Sequence, residues 1–203
     1  MARYTGSKCK LCRQEGVKLY LKGTKCEGDK CAMNKRPYGP GQHGNSKKRK
    51  TVSDYGKQLR EKQKAKRIYG ILERQFKKYV DESLATKGIT GEVLMQKLET
   101  RLDNLVYRSG FAVSRSQARQ FIRSGFFMVN DKQVRTPSQQ LRAGDIIKPV
   151  SFEKLQLREG FVLPNWLEAN VKEKYIKFAQ KPTLDDFQEQ LVDVQSIIEF
   201  YSR

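Results

Sequence analysis

Four cysteines lie within the first 31 residues, spaced as two tight pairs, Cys9-x2-Cys12 and Cys26-x4-Cys31. Two such pairs can present four thiolates to a tetrahedral ion, and the lysines that flank the cysteines favour the thiolate form. The spacing therefore predicts a structural metal site, with one Zn²⁺ as its occupant. Two disulfides, free thiols or an iron–sulfur cluster are the alternatives, although disulfides are rare in a reducing cytosol.

Arginines form the second chemical pattern. Arg115, Arg119 and Arg123 recur every four residues, which at about 100° per residue drifts only about 40° per step along a helix. This spacing predicts one exposed ridge of guanidinium groups. Arg101 and Arg108, seven residues apart, share a face of the preceding predicted helix. A regular stripe of this kind suits the phosphates of an RNA backbone better than the irregular edges of bases.

The helix that carries the ridge is predicted over residues 115–124. Ser114 and Gln117 have the spacing of a capping box, and Gly125 can adopt the left-handed conformation that ends a helix. Before it, the shared apolar face of Leu98, Leu102, Leu105 and Val106 predicts a partner helix that ends at Gly110.

A short hairpin is predicted after Gly125, where the apolar period changes to two. Asn130 and Asp131 lie between 127–129 and 133–135, and both residue types tolerate positive φ in a tight turn. Lys132 would lie at the tip of this hairpin. Helix, helix and hairpin together predict a compact RNA-binding module.

The net charge of +19 is concentrated at the N-terminal side. Residues 1–80 hold 23 Lys and Arg against 6 Asp and Glu, whereas residues 81–203 hold 18 against 16. Such a concentration predicts a polyanionic partner. Nucleic acid is favoured over a membrane because no long apolar run or membrane-anchoring face accompanies the charge. Residues 1–7 have no apolar core, so a cytoplasmic protein without a signal peptide is expected.

Residues 36–44 contain a formal G-x-G-x-x-G, but prolines interrupt it and a basic run follows, so no dinucleotide fold is predicted. We expect an extended loop on a phosphate surface, with His43 facing RNA. A basic amphipathic helix is then predicted from Ser53 to about Val80. The RNA-binding candidates of the loop and this helix are Arg36, His43, Lys47, Lys48, Arg49, Lys50, Tyr55, Lys57, Arg60, Lys64 and Arg67.

Several of these stretches resemble the family of small-subunit ribosomal protein four, in its zinc-binding form. The resemblance rests on Arg101-Leu-Asp-Asn-Leu-Val-Tyr-Arg108, on 114–119, on Val129-Asn-Asp-Lys132, and on 53–56, 59–64 and 67–70, so it covers nearly the whole chain. Three positions depart from the family pattern. The turn is Asn-Asp rather than Asn-Gly, Phe126 replaces a common histidine, and Gly39 replaces a proline.

The resemblance implies an α+β fold: a zinc knuckle and a mainly helical domain with an inserted helix–helix–hairpin RNA-binding module. The implied boundaries are 1–45 for the knuckle and basic loop, 46–93 plus 165–203 for the helical domain, and 94–164 for the module. Residues 163–167 are predicted to begin a helix, with Trp166 as a core anchor. In the C-terminal helix, Val194, Ile197, Ile198 and Tyr201 are predicted to be buried.

The implied function is structural rather than enzymatic. It comprises binding to the 5′ region of small-subunit rRNA, nucleation of assembly, and contact with small-subunit protein five that affects decoding, near the region where mRNA enters. No membrane or small-molecule partner is expected. Asp185, Asp186 and Glu189 are predicted to meet the neighbouring protein, since carboxylates would repel phosphates. An RNA-modifying enzyme and a zinc-dependent transcription or antitermination factor remain as alternatives.

Overall fold

The computed structural model describes residues 3–46, 52–151, 158, 160–170, 175–183, 186 and 192–202. The chain divides into a first unit, Met1–Gly91 with Leu191–Arg203, and a second unit, Glu92–Gln190. In chain order the helices are α1 (Lys8–Glu15), α2 (Thr24–Glu27), α3 (Ala32–Lys35), α4 (Asp54–Tyr69), α5 (Glu73–Leu84), α6 (Thr90–Glu99), α7 (Leu102–Arg108), α8 (Arg115–Arg123) and α9 (Val194–Tyr201). The strands are β1 (Phe127–Val129), β2 (Lys132–Val134), β3 (Ile146–Pro149), β4 (Leu167–Asn170) and β5 (Tyr175–Phe178). None of the helices in these ranges has the length and apolar character needed to cross a membrane.

The long basic helix predicted from Ser53 to Val80 is two helices. Ser53 caps α4 as predicted, because its hydroxyl accepts a hydrogen bond from Gly56 N at 3.2 Å. Gly70 then adopts φ 63°, the left-handed conformation that ends a helix, and the chain turns before α5 begins at Glu73. The apolar period continues across Gly70, so periodicity alone did not reveal this break.

Helix α9 packs against α4 within the first unit. The predicted C-terminal helix is confirmed, and Ile197 is fully buried in it while Val194, Ile198 and Tyr201 are half-buried. Asp193 caps the helix by accepting hydrogen bonds from Gln195 N and Ser196 N. The last turn of the chain is thus part of the folded first unit.

Glu73, the first residue of α5, connects α4 and α9 because its carboxylate accepts three hydrogen bonds from them. The donors are Lys62 Nζ at 2.8 Å, Lys66 Nζ at 2.9 Å and Tyr201 Oη at 2.7 Å. Burial opposes ionisation, but these hydrogen bonds outweigh it and lower the pKa of Glu73 to about 2. Burial, and then the bond to Glu73, raises the pKa of Tyr201.

A carboxyl whose pKa is lowered by folding stabilises the folded state above its ordinary pKa, and this contribution is lost as the pH falls through the folded value. We therefore expect Glu73→Gln to weaken α9 docking by about 1 to 2 kcal/mol at neutral pH, a figure discounted because the side chain is 45% exposed. Amide hydrogen exchange of α9 measures this. In the unmodified protein, the protection of α9 against exchange should decline as the pH falls from 4.5 to 2. In the variant this decline should be much smaller. Glu82→Gln, on the same helix as Glu73, is the matched control, and an equal change in the two variants would contradict the role of Glu73.

The second unit contains a five-stranded antiparallel sheet in the order β2-β1-β3-β5-β4. Helices α7 and α8 pack together and contribute apolar side chains to the same core as the sheet. This core includes Leu105, Ile122, Phe127, Ile147 and Phe178, all fully buried. The core fixes the orientation of the two helices that carry the predicted arginines.

The predicted hairpin and helix cap are confirmed. Asn130 and Asp131 both have positive φ, 48° and 62°, as a tight two-residue turn requires, and Val129 pairs with Lys132 across it. Ser114 Oγ accepts from Gln117 N, while Gln117 Oε1 accepts from Val113 N, one residue before the expected capping-box donor. Helix α8 ends at Arg123, within one residue of the prediction.

Residues 163–167 do not begin a helix. Trp166 and Leu167 are buried in the sheet core, and Leu167 opens β4, which pairs with β5. The stretch 165–190, which was expected in the helical domain, therefore belongs to the second unit. The short apolar run Trp166-Leu167 fits a buried strand as well as a helix start, which explains the error.

Candidate nucleic-acid interface

Asp103 is the centre of a buried ion cluster at the start of α7. Its carboxylate accepts from Arg101 Nε at 3.1 Å and Arg101 Nη2 at 2.7 Å, and Arg119 Nη1 lies 3.5 Å from it. Arg101 is only 1% exposed and Arg119 9%, with Asp103 at 3%. Arg101 and Arg119 were predicted to bind RNA; in the structure their guanidinium groups face a carboxylate inside the protein. The ridge therefore has a buried middle residue.

Arg101 is buried because the helix expected before the ridge is interrupted at this residue, which the apolar pattern did not indicate. The predicted helix before the ridge is α6 and α7, and Arg101 caps α7 between them. The backbone of Arg101 forms an isolated antiparallel β-bridge with that of Gln140, and Leu102 N donates to Gln139 O at 2.8 Å. The break turns Arg101 inward, so it does not share an exposed face with Arg108.

Asn104 links Arg115 to a second buried carboxylate, that of Glu99, which Arg108 contacts directly. Its amide donates to Glu99 Oε2 at 2.6 Å and accepts from Arg115 Nε at 2.7 Å. Arg108 donates to both oxygens of Glu99, whose side chain is 1% exposed. Arg115 and Arg108 are half-buried, so both are held in place while part of each side chain remains accessible.

Tyr107 adds an aromatic surface next to these groups. The guanidinium carbon of Arg115 lies 4.5 Å from its ring centroid, and that of Arg158 lies 5.0 Å from it. Stacking of this kind orients a guanidinium group while leaving its donors usable. Neither Tyr107 nor Arg158 was singled out from the sequence; the signal that could have indicated Tyr107 is its position three residues after Asn104 on the same helix.

Arg123 and Lys132 are the fully exposed cations of the predicted set in this unit. Lys132 lines an open groove of about 450 Å³ together with Asn130, Gln139, Gln140 and Arg142. The groove places one cation from the hairpin and one from the 139–145 segment beside several amide groups. Asp145 also lines this groove, and Arg123 at the end of α8 is not among its lining residues.

In the first unit, three of the α4 cations that were predicted to bind RNA lie near buried or partly buried carboxylates. Arg67 pairs with Glu15 of α1, whose side chain is 1% exposed, and also donates to Gln14 Oε1 at 3.0 Å; Arg60 lies 3.6 Å from Glu15. Burial raises the pKa of Glu15, against the effect of the two arginines. Lys64 donates to Glu61 at 2.5 Å and is mostly buried. Arg67 and Lys64 were predicted to bind RNA; in the structure Arg67 pairs with α1, and Lys64 pairs with Glu61 on α4 itself.

The remaining predicted positions of the first unit are exposed. Arg36, His43, Tyr55 and Lys57 all present their side chains to solvent, and the Tyr55 ring lies 5.4 Å from that of Phe200. Lys47, Lys48, Arg49 and Lys50 lie outside the described residues, as do Asp185 and Glu189. Asp186 is described, and its carboxylate accepts from Thr183 N at 2.7 Å.

The chain matches the family described as ribosomal protein S4/S9 N-terminal domain over residues 3–99, and the S4 domain over residues 100–147. It is 52% identical to a small ribosomal subunit protein uS4 from Thermodesulfovibrio yellowstonii and 49% identical to one from Thermotoga maritima, each over the full length of both chains. A uS4A protein from Clostridium botulinum is 51% identical, again over both full lengths. The chain belongs to the uS4 family.

The S4-domain match corresponds to a defined part of the second unit. It begins at Thr100, where α6 has ended, and includes α7, α8, the β1–β2 hairpin and the start of β3. The cluster around Asp103 lies within it, whereas Glu99, the carboxylate of the cluster around Asn104, lies one residue before it. Strands β4 and β5 extend the sheet beyond the matched residues, so in this uS4 chain the S4 domain is part of a larger folded unit.

The four cysteines come from α1, α2 and the residue that caps α3. All four are free thiols; Cys12, Cys26 and Cys31 are buried and Cys9 is half-buried. Burial raises the pKa of the Cys12 and Cys26 thiols, and the other cysteines raise it further. Lys22 N donates to Cys26 Sγ at 3.3 Å. Across the described ranges, however, no three His, Cys, Asp or Glu side chains are grouped as metal ligands.

Proposed function

We propose that the chain is a structural protein of the small ribosomal subunit that binds small-subunit rRNA. Similarity along its whole length to two small ribosomal subunit proteins uS4, at 52% and 49% identity, is the observation that carries this. Membership of the family places the chain in the cytoplasmic ribosome and makes it a structural protein, not an enzyme. The RNA-modifying and antitermination alternatives receive no support, because relatives that match from end to end are ribosomal proteins.

The RNA-binding surface that we propose consists of basic and other polar side chains that are not buried wherever the structure describes them. In the second unit these are Arg108, Arg115, Arg123 and Lys132. In the first unit we assign the same role to Arg36, His43, Tyr55, Lys57 and the basic run Lys47–Lys50, with Arg60 in part. Arg101, Arg119, Arg67 and Lys64 support this surface through internal ion pairs.

The finer role includes binding to the 5′ region of the rRNA, where the protein would nucleate assembly. We further assign Asp185, Asp186 and Glu189 to a contact with a neighbouring ribosomal protein, namely small-subunit protein five, close to where mRNA enters the subunit. Their negative charge supports the assignment, since carboxylates are repelled by phosphates and complement a basic protein.

Crosslinking of the full-length protein to total cellular RNA tests this function. Small-subunit rRNA should dominate the recovered fragments, and reads from its 5′ region should exceed those from the remainder. Recovery of tRNA or mRNA in preference to rRNA would overturn the proposal.

We also infer that Cys9, Cys12, Cys26 and Cys31 hold one zinc ion. The donor set supports this: four thiols from three segments, with a backbone N–H directed at the Cys26 sulfur. When bound, zinc would cross-link these segments, which carry few buried apolar side chains apart from Leu19.

Metal analysis of the purified protein should find one equivalent of zinc per chain. The Cys26→Ser/Cys31→Ser variant should bind none, since it removes half of the donors. A Ser7→Ala/Ser46→Ala variant, which changes two hydroxyl groups of the same region, should retain the metal. A native chain that is free of metal and in which all four thiols react with a thiol reagent would contradict the zinc site.

A further inference from the structure

A pocket of about 340 Å³ in the first unit is lined by six positively charged side chains. They are Lys10, Arg13, Lys25, Lys30, Lys35 and Arg36, and we call this set the cationic cradle. None of the described residues that line the pocket carries a carboxylate. Lys10 and Arg13 lie on α1, Lys25 lies on α2 and Lys30 just after it, and Lys35 ends α3 with Arg36 after it. Three segments therefore converge on one concave surface.

Among the described residues, no carboxylate is paired with a side chain of the cradle. In the part of the chain that the structure describes, the ion pairs involve none of these six side chains. Like charges around a concavity repel one another and create a strongly positive local potential. The arrangement is therefore unfavourable without a bound anion.

Arg13 is fixed in position. Its Nε donates to Tyr38 O at 2.9 Å and its Nη2 to Gly39 O at 3.0 Å, while its guanidinium carbon lies 5.0 Å from the Tyr38 ring centroid. A guanidinium held in this way needs little further ordering on binding. The other five side chains can move toward a ligand because they are mostly exposed.

We propose that the cationic cradle binds phosphate groups of the rRNA backbone, so that the cysteine-bearing segment contacts RNA directly. This rests on the function proposed above and extends it to Lys10, Lys25, Lys30 and Lys35, which the sequence patterns did not single out. Phosphate fits better than a protein carboxylate, because six cations exceed what one carboxylate can neutralise, whereas an RNA strand brings several phosphates into reach.

The test compares full-length Lys25→Gln/Lys30→Gln with the control Lys77→Gln/Lys87→Gln, which removes the same charge from exposed positions outside the cradle. Affinity for the 5′ region of small-subunit rRNA is measured across a range of salt concentrations. The cradle variant should bind several-fold more weakly, and its log–log salt slope should fall by about 1 or more, because fewer counterions are released. The control should shift affinity less than twofold. Unchanged circular dichroism, and a Lys10→Gln/Lys35→Gln variant that behaves like the first, exclude misfolding as the cause.

A second arm distinguishes RNA phosphate from a free phosphate compound. Pyrophosphate is titrated against the unmodified protein and the cradle variant by calorimetry. Binding of pyrophosphate without any difference in RNA affinity between cradle and control variants would overturn the proposal in favour of a free polyphosphate ligand. Equal RNA affinity and slope for the two variants, without pyrophosphate binding, would overturn it entirely. Failure of the unmodified protein to prefer rRNA would instead contradict the proposed function.

Discussion

Replacing Asp103 with alanine is expected to lower the free energy of unfolding of the second unit by about 3 to 5 kcal/mol, the usual effect of removing one partner from a buried ion pair. The substitution leaves the guanidinium groups of Arg101 and Arg119 inside the protein without the carboxylate that neutralises them. Urea unfolding followed by the fluorescence of Trp166, the single tryptophan, measures the loss, because this side chain is buried in the core of the same unit.

Two comparisons make the measurement specific to the buried cluster. Asp131→Asn removes the charge of a side chain that is 79% exposed and pairs with Lys148 at 3.1 Å, and asparagine tolerates the positive φ of this turn position as aspartate does. It should change stability by about 0.5 kcal/mol or less. Combining Asp103→Leu with Arg101→Met and Arg119→Met should restore most of the lost stability, because an apolar cluster of similar volume avoids the desolvation of charge. A loss of less than about 1 kcal/mol for Asp103→Ala would show that the cluster does not hold α7 to α8.

The features predicted correctly from sequence are those fixed by local chemistry. Ser114 and Gly125 define the ends of α8, and the turn at Asn130 and Asp131 follows from the positive φ that these residue types tolerate. Each depends on a few neighbouring residues and on backbone groups close to them. For such elements a single sequence contains the information needed.

The arginines were misjudged because their partners are set by tertiary contacts. Helical spacing places Arg119 between Arg115 and Arg123, but spacing does not reveal that α7 turns Asp103 toward it. The same holds for Arg67, whose partner Glu15 lies 52 positions earlier in the chain. An arginine beside a carboxylate in the fold and an arginine facing RNA look identical in sequence.

Only the hairpin of the sheet, β1 and β2, was predicted from the sequence, for a related reason. β1 and β2 are joined by a recognisable turn, whereas β3 pairs with β5 across a long segment and without a short connecting signal. Strands of four residues such as β4 and β5 offer too few positions for a clear alternation. The extent of the second unit therefore emerged only with the three-dimensional structure.

The revised roles of the arginines lead to a contrast between affinity and stability. Arg123→Gln/Lys132→Gln is expected to weaken binding to the 5′ region of small-subunit rRNA by roughly tenfold at physiological salt, and to lower the log–log salt slope by about 1.4 to 1.8, as two lost phosphate contacts require. Both side chains are exposed, so stability should change by about 0.5 kcal/mol or less. The control Lys177→Gln/Lys181→Gln removes two exposed lysines from the same unit and should have a much smaller effect on affinity.

Arg119→Ala should behave in the opposite way. Arg119 is 9% exposed and faces Asp103, so its removal disturbs the buried cluster and lowers stability, while the folded fraction should bind rRNA with nearly the affinity of the unmodified protein and the same salt slope. Filter binding at a temperature where both proteins are fully folded separates the two effects, since only folded protein contributes. A folded Arg119→Ala variant that loses as much affinity as Arg123→Gln/Lys132→Gln, with a reduced salt slope, would mean that Arg119 leaves Asp103 to meet a phosphate. The ridge would then have three phosphate contacts in the complex, and the buried ion pair would belong to the free protein alone.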